Sequence, residues 1–281
     1  MIVFLQGGFV PEERAVVSIF DRAFRYGDAL FEAVLVFNGK MFRWPQHFQR
    51  LERSAQFLKI ALPYPADELL AFARELISRN KLADCVLRLQ LSRGIGPRGY
   101  APSGAETPLV VMSLHPAPSR ESLRGATWKL TVSSFRVPAG DLLTNHKTCN
   151  RLLHVCAAAE ARDRGADESL LVNTNNEVTE GSTSNVFWID NGTVCTIPLA
   201  GSVLPGVTRA AVLEVCSALR IPQAERSVRP EQLPTMDGVF LSFTSRGIVE
   251  AESLDGTPFR RSPITLRLQQ EFEALLAREC S

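Results

Sequence analysis

The sequence predicts a mixed α/β (α+β) protein built as two domains, and three observations carry that expectation. The 281 residues lie near the roughly 250–300 at which a single hydrophobic core stops growing and chains divide. Segments with a period of two alternate with segments of helical period, and Asn38-Gly39, Asn191-Gly192 and Asp255-Gly256 mark tight turns. Finally, His115–Ser122 holds Pro116 and Pro118 and no hydrophobic period, as an interdomain linker would. The expected boundaries are a smaller N-terminal domain over residues 1–115, a linker over 116–122 and a larger C-terminal domain over 123–281.

In the first domain, Ala33–Phe37 and Lys40–Phe42 flank Asn38-Gly39, a dipeptide that tolerates positive φ at both turn positions, so they predict a hairpin. A helix follows over Pro45–Leu58, with Pro45 in its first turn, Phe48, Leu51, Ala55 and Leu58 on one apolar face, and Arg50 off that face. A second helix covers Asp67–Ser78. Val86–Ser92 sets Leu87, Leu89 and Leu91 on one side, and Pro108–Leu114 is almost continuously apolar; both read as strands, the latter more deeply buried. The second domain opens with a strand over Trp128–Ser133, an irregular stretch Arg136–Asn145 and an Ala-rich helix Arg151–Arg164 closed by Gly165. There follow a strand at Ser169–Val172, a turn at Asn173–Asn176, and Val186–Ile189 paired with Val194–Thr196. A helix Arg209–Leu219, strands near Val239–Phe243 and Gly247–Leu254 and a final amphipathic helix Ile264–Arg278 complete the chain.

Composition narrows the function by exclusion. With 45% hydrophobic and 22% charged residues, the chain has the make-up of a folded globular protein. Lys plus Arg number 31 against 30 for Asp plus Glu, a net charge of +1, so no basic surplus favours nucleic acid or an anionic membrane. No apolar run approaches the roughly 18–20 residues of a spanning helix, and Met1–Val10 lacks the basic flank of a signal peptide. Cys85, Cys149, Cys156, Cys195, Cys216 and Cys280 form no C-x-x-C pair and have no His at metal spacing. Reduced, buried thiols in a cytoplasmic protein without a metal site are expected.

Three segments ask for a chemical explanation. Thr179–Asn185 packs small polar residues around the carboxylate of Glu180 directly before an apolar strand, which is costly unless those groups bind a ligand or one another. Lys147 stands just ahead of the Ala-rich helix, where a cation gains nothing from the positive helix N-terminus. Leu204-Pro205-Gly206-Val207-Thr208-Arg209 sets a glycine and a capping threonine before a helix, a cradle for a phosphate. Singly, each has a plainer reading as a solvated lysine or an ordinary cap. Together, an amine, a buried carboxylate and a phosphate cradle are what pyridoxal phosphate requires.

The segment Asp21–Glu32, His47-Phe48-Gln49-Arg50-Leu51, Ser92-Arg93-Gly94 with Arg98-Gly99-Tyr100, Lys147-Thr148-Cys149-Asn150, Asp167-Glu168, Val178–Phe187 and Leu204–Arg209 occur in the order found in one family. Over nearly its whole length the sequence resembles the class IV aminotransferases. These are pyridoxal-phosphate (PLP) enzymes of fold type IV that include branched-chain and D-amino-acid aminotransferases and 4-amino-4-deoxychorismate lyases. The resemblance implies a C-terminal pseudo-barrel domain, the cofactor in a cleft between domains, and a homodimer whose partner chain completes the substrate pocket. On it, Lys147 is the Schiff-base lysine and proton carrier, and Glu180 pairs with the pyridine nitrogen. Arg50, the backbone N–H groups of Val207 and Thr208 with the Thr208 hydroxyl, and Thr244 with Ser245 hold the phosphate. Tyr26, Arg98 and Tyr100 meet the substrate, Arg98 as carboxylate partner, while Tyr26 fits a packing role equally well. His146 reads as structural, because in this family the lysine moves the proton.

The implied activity is amino transfer between an amino acid and a 2-oxo acid; the alternative is elimination of pyruvate from 4-amino-4-deoxychorismate to give p-aminobenzoate. Asn150-Arg151-Leu152 and Thr244–Ile248 resemble the lyases, whereas Thr179–Phe187 and Leu204–Arg209 are closer to the aminotransferases.

Overall fold

In the computed structural model, which describes residues 1–281, the alternating leucines of Cys85–Ser92 become one face of a strand. Leu87, Leu89 and Leu91 are fully buried, while Val86, Arg88 and Gln90 on the opposite face are half-buried. This strand, β5, belongs to a six-stranded antiparallel sheet. The others are β1 (Ile2–Leu5), β2 (Gly8–Pro11), β3 (Ala29–Phe37), β4 (Lys40–Met41) and β6 (Leu109–Pro116), in the order β2-β1-β6-β5-β3-β4. Asn38 and Gly39 turn β3 into β4 with φ of 51° and 74°, as the dipeptide requires. A single turn of helix, α1 (Arg22–Tyr26), precedes β3, and two longer helices, α2 (Trp44–Leu58) and α3 (Ala66–Asn80), follow β4. Leu51 and Ala55 of α2 and Leu69, Ala73 and Leu76 of α3 pack on the buried leucines of β5 and on Val110, Met112 and Leu114 of β6. Each large aliphatic chain so buried contributes about 1.5–3 kcal/mol.

The second sheet has nine strands and curls into a half-barrel. Its strands are β7 (Thr127–Val137), β8 (Glu168–Asn173), β9 (Val178–Gly181), β10 (Asn185–Asp190), β11 (Thr193–Thr196), β12 (Gln223–Glu225), β13 (Gly238–Phe243), β14 (Gly247–Leu254) and β15 (Thr257–Pro258). The path runs β12-β11-β10-β13-β14-β7-β8-β9, with β15 beside β14. Around it lie α4 (Arg120–Leu123), α5 (Leu152–Asp163), α6 (Val207–Ala218) and α7 (Pro263–Glu279). Its core holds Leu170, Val186, Trp188, Val239, Leu241 and Val249. No helix of the chain is long and apolar enough to cross a membrane.

Four differences from the sequence reading have physical causes. Strands β1 and β2 and helix α1, of four or five residues each, are too short to display a period. The linker expected over 116–122 is shorter, since β6 continues to Pro116 and α4 begins at Arg120. Thr208 is not a helix cap. It is the second residue of α6, whose N-cap is Gly206 with no side-chain cap. The chain divides into one compact unit of Met1–Ala117, His146–Arg151 and Glu279–Ser281 and another of Pro118–Asn145 and Leu152–Arg278, so Lys147 joins the N-terminal unit. The reason lies in the backbone. The Phe31 N–H donates to the Lys147 carbonyl at 2.9 Å, and the Cys149 N–H to the Ala29 carbonyl at 2.8 Å.

Candidate active site

Strand β3 organises the first group of candidate residues. Lys147 is hydrogen-bonded along its edge, with Nζ 4.6 Å from the centroid of the Phe31 ring. The next residue, Glu32, points into the core, where α2 meets it. Arg50 donates through Nε and Nη2 to the two carboxylate oxygens at 2.8 and 2.6 Å, and His47 Nδ1 lies 2.8 Å from Oε2. All three side chains are buried, so Arg50 is not on the solvent side of its helix. A guanidinium tolerates that position because a carboxylate answers its fork. Burial pushes the Glu32 carboxyl up, but the guanidinium and imidazole outweigh it and hold the group at about 2. Burial, reinforced by the charges of Arg50 and Lys147, keeps His47 below its ordinary basicity despite Glu32.

The same helix also steadies the lysine segment. His146 stacks on Phe57 with centroids 4.0 Å apart, and its Nδ1 lies 3.0 Å from the Ser54 hydroxyl. Burial and the charge of Arg53 lower its basicity, as suits a packed, neutral ring. Arg151 donates to the carbonyls of His146 and Thr148 at 2.8 and 3.2 Å. Sequence reasoning missed Arg88, whose guanidinium carbon lies 4.0 Å from the centroid of the Phe31 ring that Lys147 also faces. The alternation of β5 already sets Arg88 opposite the leucines. It does not reveal that the opposite face is the lysine's.

A second group is built on β9 and β10. Glu180 is buried; Oε2 accepts the Leu204 N–H at 2.9 Å, and Oε1 lies 3.3 Å from His154 Nε2 of α5. Thus a carboxylate is held away from water by an amide and an imidazole, which suits a cationic ring N–H. The hydroxyl cluster beside it is satisfied internally. Glu168 accepts the N–H groups of Ser182 and Thr183 at 3.0 and 3.1 Å and the hydroxyls of Ser182, Thr183 and Ser184. Gly181 is required there, because a Cβ would come 2.1 Å from Ser184 Oγ.

Leu204 leads directly to the start of α6. Asn185 Nδ2 donates to the Leu204 carbonyl at 2.9 Å, and a Cβ on Gly206 would lie 2.0 Å from Asn185 Oδ1. The N–H groups of Val207 and Thr208 fall in the first turn, where a helix offers them no acceptor. Ser242 of β13, which pairs with Asn185, has a buried hydroxyl without a hydrogen-bond partner. Thr244 and Ser245 follow in the β13–β14 turn, half-buried. These donors fit a phosphate, and Glu180 fits a pyridinium, so the residues present suit PLP.

The third group forms around α1. Tyr26 Oη accepts the Gly99 N–H at 3.0 Å, and its ring meets Tyr100 edge-on at 5.6 Å. Arg98 and Tyr100 are exposed, Tyr100 at 89%.

An amine on one strand edge, a buried carboxylate and an anion cradle are the parts a PLP enzyme needs, and comparison with known proteins identifies the family. The family model "Amino-transferase class IV" matches residues 29–254. A protein of Methanocaldococcus jannaschii provisionally named a branched-chain-amino-acid aminotransferase is 32% identical over 279 residues, 97% of this chain and 96% of its own. The D-alanine aminotransferase of Staphylococcus aureus is 31% identical over 276 residues, 96% of each. Among solved structures, the branched-chain aminotransferase of Escherichia coli superposes with a TM-score of 0.92 at 28% identity, covering 98% of this chain and 94% of that one. A branched-chain aminotransferase from a T.th. strain, in complex with N-(5′-phosphopyridoxyl)-L-glutamate, gives 0.90 at 26%, with 97% and 92% covered. A structure provisionally named 4-amino-4-deoxychorismate lyase, from Legionella pneumophila, gives 0.87 at 27%, with 94% and 96% covered. The chain belongs to the class IV aminotransferases. It is a PLP-dependent enzyme that moves an amino group between an amino acid and a 2-oxo acid.

Proposed function

We propose that Lys147 is the amine at the centre of this transamination, that Glu180 serves the cofactor's ring nitrogen, and that two groups of donors serve its phosphate. The observation that carries the reading is the seating of Lys147 along the edge of β3, its amine against Phe31, on the strand whose next residue, Glu32, anchors Arg50 from the other face. PLP, when bound, supplies an aldehyde for amines to engage and a ring that accepts the electron pair left on the substrate α-carbon. The Lys147 ε-amine carries the proton between that carbon and cofactor C4′. Glu180 keeps a proton on the ring nitrogen, which keeps the ring electron-poor. Val207 and Thr208 offer backbone N–H groups, and Thr208, Thr244 and Ser245 offer hydroxyls, to the phosphate; Arg50 adds a guanidinium. Arg98 takes the substrate carboxylate, with Tyr26 and Tyr100 beside it.

The active form is a homodimer in the cytoplasm. Val16, Val17, Ile19, Phe20, Phe24 and Ile95 are 46–79% exposed, an apolar surface of the kind that subunit contacts cover. Six free cysteines suit a reducing compartment. The lyase-like Asn150-Arg151-Leu152 has a local explanation, since Arg151 holds its own loop.

The test is a half-reaction. An amino acid added to the PLP enzyme should convert bound cofactor stoichiometrically to pyridoxamine phosphate and release a 2-oxo acid, and adding the 2-oxo acid should reverse the change. Lys147→Ala should abolish both. Failure of every amino acid, with p-aminobenzoate formed from 4-amino-4-deoxychorismate, would favour the lyase. A borohydride-fixed cofactor on another lysine would remove Lys147.

A further inference from the structure

We propose that Arg22 is the positioning residue for the loop that carries Arg98, and so controls how tightly carboxylate-bearing substrates bind without touching them. The proposal rests on the reading of Arg98 as carboxylate partner. Arg22 opens α1 and is 2% exposed. Its backbone is fixed: Asp21 caps the helix through the Ala23 N–H at 2.8 Å and accepts the Ser92 hydroxyl at 2.5 Å, while the Arg22 N–H donates to the Gly94 carbonyl at 2.9 Å. From that base the guanidinium reaches outward. Nη1 donates to the carbonyls of Gly99 and Ala101 at 3.0 and 3.2 Å, and Nη2 to that of Tyr100 at 2.9 Å. One buried side chain thus grips three consecutive carbonyls of a loop whose residues 97–101 are otherwise exposed.

A fourth donor ties this grip to the framework. Nε donates to Asp28 Oδ2 at 2.7 Å. Arg93 shares that carboxylate, through Nε at 2.8 Å and Nη2 at 3.0 Å, and donates in turn to the carbonyls of Leu58 and Lys59 at the end of α2. Two guanidiniums therefore meet at one carboxylate, one holding the end of α2 and the other the substrate loop. Tyr26 assists, since its ring lies 5.0 Å from the Arg22 guanidinium carbon and its hydroxyl oxygen takes the Gly99 N–H. The stems of the loop close over the arginine, because a Cβ on Gly96 would come 3.0 Å from Arg22 Cδ and 2.8 Å from Ala105 Cβ. A lysine could not replace this grip: a single ammonium cannot span three carbonyls and a carboxylate as a planar fork with five donors does. An arginine serving only the core would spend its donors on core groups. Here three of its four contacts go to the loop backbone.

The experiment compares Arg22→Lys and Arg22→Gln with Arg98→Ala in the PLP enzyme. Two readouts are used: the rate of tryptic cleavage at the Arg98–Gly99 bond, mapped by mass spectrometry, and the kinetics with an α-amino acid and with a primary amine lacking a carboxylate. In the Arg22 variants, cleavage at that bond should accelerate about tenfold or more. KM for the amino acid should rise by a similar factor, with kcat, cofactor titration and KM for the amine unchanged. Wild-type cleavage and KM in folded Arg22→Lys would overturn the proposal. An Arg98→Ala variant with wild-type KM would instead refute the reading of Arg98, and faster cleavage in the Arg22 variants would still establish the grip. Should Arg22→Gln fail to fold, Tyr26→Phe, which removes the acceptor of the Gly99 N–H, should accelerate cleavage at the same bond; no acceleration counts against the proposal.

Discussion

Glu32 is a carboxylate enclosed with two basic neighbours, and its charge state links the site to stability. Its folded value of about 2 lies below the ordinary 4.5. The stabilisation is therefore complete above about 4.5 and is lost as pH falls toward 2. At 1.36 kcal/mol per unit, this is on the order of 3 kcal/mol. His47 adds to the acid loss: burial holds its basicity below the ordinary 6.5, so the unfolded chain takes up a proton there first. Urea titrations should find the unfolding free energy falling between pH 4.5 and 2, with Glu32→Gln flattening that limb. At neutral pH the same variant should also be less stable, because the buried Arg50 fork loses the carboxylate charge it grips. An unchanged acid limb in Glu32→Gln would mean that another group sets it. The sequence made Arg50 visible and hid its burial, because the residue that makes burial tolerable lies 18 positions earlier. A signal was available: Leu30, Glu32, Val34 and Val36 share one side of β3, so Glu32 occupies an inward position in an apolar alternation.

At the scale of elements, two helices do different work. Helix α2 presents His47, Arg50, Ser54 and Phe57 at helical spacing, the first pair to Glu32 and the second to His146. Arg50→Ala should weaken cofactor binding by the roughly 1.5–3 kcal/mol of a charged hydrogen bond, read by PLP titration; unchanged affinity would take Arg50 out of phosphate binding. Helix α6 acts through its first turn, where Gly206 lies against Asn185. Gly206→Ala must displace the Asn185 carboxamide from a 2.0 Å approach. It should lower cofactor affinity and the urea midpoint together, and wild-type values for both would show that the turn relaxes freely. The Asn38-Gly39 hairpin, β5 and α2 were legible because period and turn chemistry are local properties. Strand β9 was not, since Thr179, Glu180 and Gly181 carry no apolar pattern, and their strand geometry comes from pairing with β8.

At the scale of the molecule, the expected homodimer predicts twice the 31.0 kDa chain mass in equilibrium sedimentation. Phe20→Asp with Phe24→Asp should shift the enzyme to a monomer with reduced activity. A fully active wild-type monomer would contradict the assembly. Domain organisation was only partly legible. Pro116 and Pro118 flank the Ala117–Pro118 division, but nothing in the local pattern of His146–Arg151 announces its pairing with a strand more than a hundred residues earlier.

That pairing limits how the gene could be dissected. A fragment ending at Ala117 would retain α2, Arg50 and Glu32 and lose Lys147, leaving β3 with bare N–H and carbonyl groups at Ala29 and Phe31, an invitation to aggregation. Complementation between two halves cut at the prolines should be poor, because Lys147, whose backbone pairs with β3, would travel with the wrong piece. A cut that respects the compact units would need three further breaks, before residue 146, after residue 151 and before residue 279.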